Sequence, residues 1–206
     1  MRFCFSREFS VIIIGLALVL SPLACADTSI WRLDPANSWA EFSVRYLGIS
    51  NLRGSFTQVR GTAALDDQTP AKSSVDVSID VANVNTREVD RDTQLRSDKF
   101  FDVAHWPVMT FKSTRIQSAG IGKLVVTGDL TIRGVTKEVV LAVDGPSPPY
   151  KGPKGEERIR ATATMKINRQ DFGIKGNAVM NNDAAAAGNE VSLVLHIDMV
   201  KQTPTK

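Results

Sequence analysis

The feature that most limits what this chain can fold into is a recurring period-two alternation of apolar and polar residues. Val75, Val77, Ile79 and Val81 form one apolar set, with Asp76, Ser78 and Asp80 between them. Leu124, Val126, Leu130 and Ile132 form a second, and Val135, Val139, Leu141 and Val143 a third. Two more sets follow: Ile159, Ala161, Ala163, Met165 and Ile167, then Val191, Leu193, Leu195 and Ile197. Neighbouring side chains on a strand point to opposite faces, so each run predicts a strand with one buried and one wet side. This many strands in a chain of 206 residues must pack as two sheets or close into a barrel. The second solution matters for function, because the inside of a barrel can hold a ligand.

The first 26 residues belong to a different regime. Arg2 and Arg7 make a short basic start, 11–20 is an apolar run, and Ala24-Cys25-Ala26 offers a small-residue cleavage site. That is the pattern of a secretory signal peptide cleaved after Ala26, which leaves 27–206 as one domain. The apolar run falls short of the roughly 20 residues that span a membrane, so no stable span is expected in the mature form. Acylation at Cys25 is the rival reading, though Pro22 stands where that signal wants leucine. Cys4 and Cys25 both leave with the leader, so the mature protein has neither a disulfide nor thiol chemistry. Its basic and acidic residues are interspersed and nearly balanced, which argues against nucleic acid and against a polybasic membrane patch.

Along 27–206, short strands are predicted near Trp31 to Asp34 and over Trp39 to Tyr46. A longer one runs from Leu52 to Leu65, where a change of apolar parity near Gly61 suggests a β-bulge. Asn85 and Glu88 resemble a capping box ahead of a charged helix reaching Ser97, anchored by Val89 and Leu95. Pro107 opens a strand through Phe111 to about Ile116, and Gly134 turns the next two strands into a hairpin. Residues 146–155 read as a loop, 168–174 as a turn or short helical piece, and 177–189 as a polar, mobile loop.

Four segments are more particular: FSVRYLGISNLRGSF (Phe42 to Phe56), VNTREVDRDTQLRSDKFFDVAHWPVMTFKST (Val84 to Thr114), GDLTIRGVTKEVVL (Gly128 to Leu141) and INRQDFGI (Ile167 to Ile174). In this order and spacing they resemble the YceI family of exported bacterial proteins. The resemblance implies an all-β, eight-stranded antiparallel lipocalin-like barrel with a short helical insertion between strands. It also implies a periplasmic protein that binds a polyisoprenoid or similar long-chain amphiphile, with no reaction attached to the family as a class; no cofactor is expected. Members of the family often carry histidine at the positions of Asn37 and Arg45, so any head-group contact made by those histidines differs here.

The residues themselves are consistent with such a ligand. An isoprenoid tail needs a long dry space, since each stranded polar group costs a few kcal/mol. Strand parity turns Phe42, Val44, Phe56, Val77, Ile79, Phe111, Leu130, Ile132, Leu141, Met165, Leu193 and Leu195 inward, and Gly128, Ala161 and Ala163 are small enough to leave room. Phe100, Phe101 and Trp106 either seal one barrel end or, with Arg87 to Ser97 and its Leu95, form a lid over the cavity. Arg45, Arg91, Arg96 and Lys99 are then candidates for an anionic or phenolic head, arginine through its planar fork.

Catalysis has little support. His105 and His196 lack metal-ligand spacing, His196 has outward parity, and Ser55 and Ser113 have no identifiable base. Three alternatives stay open: a carrier of fatty acids or fatty amides, an enzyme using a cavity carboxylate of raised pKa, and a partner of a membrane-bound cytochrome in quinone handling. A homodimer also stays open.

Overall fold

The computed structural model describes residues 28–46, 49–176 and 187–203. The expected leader and most of the expected 177–189 loop lie outside the described residues. The strands are β1 (Ser29–Leu33), β2 (Trp39–Tyr46), β3 (Ser50–Thr57), β4 (Arg60–Leu65), β5 (Ser74–Asp80), β6 (Val84–Asn85), β7 (Val108–Gly120), β8 (Lys123–Ile132), β9 (Val135–Asp144), β10 (Tyr150–Lys151), β11 (Glu157–Asn168) and β12 (Ala187–Lys201). The one α-helix among the described residues is α1 (Val89–Arg96).

These segments make a closed antiparallel barrel of eight strands, as expected. β1 and β2 lie end to end along one edge of β12, in register Trp31↔Lys201 and Trp39↔His196. β4 and β3 follow on β1 and β2 in the same way, and β5 and β6 follow on β4 and β3. Three pairs of short strands thus act as three long interrupted ones. β7, β8 and β9 continue the circuit, and β11 closes it by pairing with β9 and, over its length, with β12. β10 is a flap on β11 (Tyr150↔Arg158) inside the segment expected to be loop.

The strand limits differ from the sequence expectation in instructive places. The interruption between β3 and β4 falls at Gln58, whose φ of 59° turns the chain, and at fully buried Val59. Gly61 makes no bulge: β4 pairs β5 without a register shift through Gly61↔Val77. Its lack of a side chain instead lets the Asp76 carbonyl approach, since a Cβ would come within 2.1 Å of that oxygen. β7 runs on to Gly120, beyond the expected end near Ile116, and β12 starts at Ala187.

The helix is present but its anchoring differs. Glu88 caps α1 without a side-chain bond, while Asn85 Oδ1 accepts from the Arg87 amide at 2.8 Å, so no capping box forms. Val89 is 77% exposed and anchors nothing. The side chain that buries is Asp92, accepting from the Thr86 amide (2.8 Å) and hydroxyl (2.7 Å). Arg96 donates to the carbonyls of Ala82 and Val84, both at 2.9 Å. With few apolar positions to bury, this helix is held by polar tethers.

At the opposite barrel end, away from α1, the outward face of β11 and β12 carries a buried ion cluster. Arg158 pairs with Asp34 after β1, with Asp198 of β12 (2.7 Å) and with Glu156 (2.8 Å). Asp198 also accepts from Arg160 (2.9 Å) and the Tyr150 hydroxyl (2.7 Å). The Arg158 bond is the main reason the Asp34 carboxyl sits below its usual pKa. Burial alone would raise Asp198, but the bonds from Tyr150, Arg160 and Arg158 outweigh it and lower it. Both depressed carboxylates contribute stability that is complete above their unfolded values near 4 and is lost as pH falls through the folded values. Asp198→Asn should therefore cost about 3 kcal/mol at neutral pH, leaving Arg158 short of a partner. It should also flatten the stability profile below about pH 4. Urea unfolding of both proteins across acid pH checks this; parallel profiles would rule Asp198 out as a source of acid sensitivity.

Candidate functional site

The inward parity of the strands produces a cavity along the barrel axis. The cavity volume is about 220 Å³. The inward residues Phe42, Val44, Phe56, Val77, Ile79, Phe111, Leu130, Ile132, Leu141, Ala163, Met165, Leu193 and Leu195 all line it. At the end carrying α1, Leu95, Phe100 and Phe101 reach the same space. The Phe42 and Phe56 rings meet tilted, with centroids 5.4 Å apart, and Phe101 meets Phe56 edge-on at 5.6 Å.

Other expected positions turn out differently. Ala161 lines the cavity with Ala163, but the space at Gly128 is taken: a Cβ there would lie 2.6 Å from the Phe111 ring. Trp106 is 44% exposed over the Gly134 turn and does not reach the lumen. Arg45 and Lys99 are exposed, Arg96 is committed to backbone carbonyls, and Arg91 lines a groove outside the cavity. None of these four lines the cavity. His196 faces outward, stacked 4.5 Å from Trp39, and exposed His105 bonds Asp102 at 2.8 Å.

The lining also includes residues that the sequence did not single out, among them two methionines and an arginine. Met109 and Met199 join Met165 in the wall, placing three adaptable thioether side chains around the lumen. Arg169, inside the INRQDFGI segment, is buried at the cavity margin. Its guanidinium donates to the carbonyls of Ile174 (3.0 Å), Gly188 (3.0 Å) and Ala187 (3.3 Å), tying the turn after β11 to the start of β12. Burial pushes its pKa down. Thr110 and Arg169 are the polar side chains among the described lining residues, and no carboxylate is among them. Among the described residues, no group of three His, Cys, Asp or Glu could hold a metal ion.

The circuit has two thin places near α1. β9 pairs with β11 only over 142–144, and the turn Arg169–Phe172 lies beside the remainder. β3 pairs with β6 only at Ser55 and Phe56, so 50–54 has no strand partner on that side among the described residues.

A closed eight-stranded barrel around an apolar cavity defines a lipocalin-like protein. The chain matches the YceI-like domain over residues 31–199, and it belongs to that family. It is 36% identical over 168 residues to Protein YceI of Escherichia coli O157:H7, covering 81% of this chain and 83% of that one. Among solved structures, Burkholderia cenocepacia BcnA superposes with a TM-score of 0.68 at 23% identity, over 81% of this chain and 98% of BcnA. A polyisoprenoid binding domain from Saccharophagus degradans, implicated in plant cell wall breakdown, gives 0.63 at 19% identity, over 84% of this chain and 98% of that domain.

The tethering of α1 is open to test. Asp92→Ala strands the Thr86 amide and hydroxyl, so amide protection across 86–97 should fall by about tenfold or more while β8 and β9 keep theirs. Hydrogen exchange measures this directly. Unaltered protection in α1 would mean that packing, not Asp92, holds the helix.

Proposed function

We propose that the protein is an exported, non-enzymatic carrier that holds the tail of a long-chain isoprenoid amphiphile inside its barrel. The observation that carries the reading is the cavity wall, which is apolar apart from Thr110 and Arg169 among the described lining residues. Each methylene transferred to such a wall contributes about 0.8 kcal/mol, so a tail of many carbons binds tightly before any polar contact is made. The three methionines let the wall repack around methyl-branched chains. Membership of the YceI-like family, and a fold shared with a domain described as polyisoprenoid binding, support the same ligand class. The absence of a carboxylate among the described lining residues favours binding over chemistry at an internal acid or base. The basic and apolar pattern of residues 1–26 supports export, with the bacterial periplasm as the working compartment. No helix among the described residues is long and apolar enough to cross a membrane.

Mass spectrometry of the protein purified from a periplasm, native and then after solvent extraction, tests the reading. A stoichiometric isoprenoid adduct is expected; a fatty acid or amide would replace the ligand class while keeping the carrier. Ala163→Trp should cut lipid retention by at least about tenfold, because the indole takes space worth two or more methylenes. The variant should still unfold cooperatively, since the cavity accepts the added volume. A folded variant with full retention would place the tail elsewhere.

A further inference from the structure

A second concavity, about 810 Å³, lies beside the thin place along β3. We propose that this groove binds the phosphate or pyrophosphate head of an amphiphile whose tail occupies the cavity. The tail half of that statement rests on the carrier reading; the anion half stands on the groove itself.

Arg53 of β3, Arg91 of α1 and Arg87 from the turn before it line the groove, with Asn51, Ser55 and Asn85 among its polar neighbours. None of the three arginines has a carboxylate within ion-pair distance among the described residues. The carboxylate that does line the groove, Glu41, is engaged elsewhere: it accepts from Trp39 Nε1 at 3.0 Å and lies 3.9 Å from His196 Nε2. Three planar forks around a concavity suit a tetrahedral anion with several acceptor oxygens.

The placement of Arg87 is an independent observation. Its φ is 64°, a left-handed conformation that is unfavourable for a non-glycine residue and persists only where neighbours impose it. They do so on both sides. Asn85 Oδ1 accepts from the Arg87 amide, and buried Asp92 accepts from the Thr86 amide and hydroxyl. The turn therefore fixes the backbone position from which Arg87 lines the groove.

The groove also borders the cavity. Phe42 and Leu52 line both, and the Phe42 ring lies over Gly54 against the Thr86 methyl, where any Cβ would clash at 2.4 Å. An amphiphile with its tail in the barrel needs an outlet for a charged head, because the wall of Leu, Val, Ile and Phe cannot solvate one. The β3 edge leads from that wall to the arginines.

The test compares a prenyl phosphate with its matching prenol on the full exported protein, and titrates inorganic pyrophosphate while following arginine Nε resonances. The phosphate should bind at least about tenfold more tightly than the prenol, and the preference should shrink with added salt. It should fall to near unity in R53Q/R87Q/R91Q, and pyrophosphate alone should move the Nε signals of the unsubstituted protein. Equal binding of phosphate and prenol would overturn the head site and leave the tail site standing. Preference retained in the triple variant would equally overturn it. Pyrophosphate binding without binding of either prenyl compound would make the groove a site for free phosphate, overturning both the lipid head and the internal tail.

Discussion

Everything in this barrel depends on the double pairing of β12. One edge of the strand runs against β11 from Arg158↔Val200 to Asn168↔Glu190. The other edge is shared by β2 and then β1. Main-chain donors and acceptors removed from water must be paired, and here the neighbouring strands pair them without help from anything in the middle. The interior is therefore free to stay open. The same strand supplies wall and clasp: Val191, Leu193, Leu195, Ile197 and Met199 face the cavity, while outward Asp198 gathers Arg158, Arg160 and Tyr150.

Barrels of this strand number can be packed solid, so an open lumen needs a cause in the side chains. The inward residues are unevenly distributed by size. Phe42, Phe56, Phe100 and Phe101 gather at the end carrying α1, while Ala40, Ala63, Ala161 and Ala163 occupy inward positions of β2, β4 and β11. Aromatic bulk narrows the lumen near α1 through tilted and edge-on ring contacts, and the alanines leave space beside it. Gly128 works against the opening, because the Phe111 ring fills its place. Gly54 does the same for Phe42, which brings that ring to the border between cavity and groove.

What could be read from the sequence was whatever depends on neighbours one or two residues apart. Alternation along β5, β8, β9, β11 and β12 identified the strands and their inward faces, since a one-residue slip would turn each apolar set to solvent. Features set by distant partners were not legible. Arg158 sits 124 positions from Asp34 and 40 from Asp198, and only the pairing of both β11 and β1 with β12 brings them together. Arg96 looked like a free cation on a wet helix face, yet the carbonyls of Ala82 and Val84 claim it once the chain folds back. The break at Gln58 was missed because a left-handed glutamine carries no sequence mark, whereas Gly61 drew attention for a role it does not have.

The contrast between α1 and the β3 edge bears on how a tail reaches the lumen. α1 looks like a lid, with Leu95 on the cavity and Phe100 and Phe101 beyond it. Lifting it would break the two bonds to Asp92 and the two from Arg96, and bonds to charged groups contribute about 1.5–3 kcal/mol each. It would also release the Phe100 carbonyl from Arg133. Along 50–54 the barrier is of another kind. β3 has no strand partner there among the described residues, and the side chains that face both cavity and groove are Phe42 and Leu52, held by packing. Rotamer changes in two apolar side chains are far less costly than four charge-assisted bonds. With α1 tethered, the β3 edge is a stretch of wall held by apolar packing rather than by charge-assisted bonds, and it borders the arginine-lined groove.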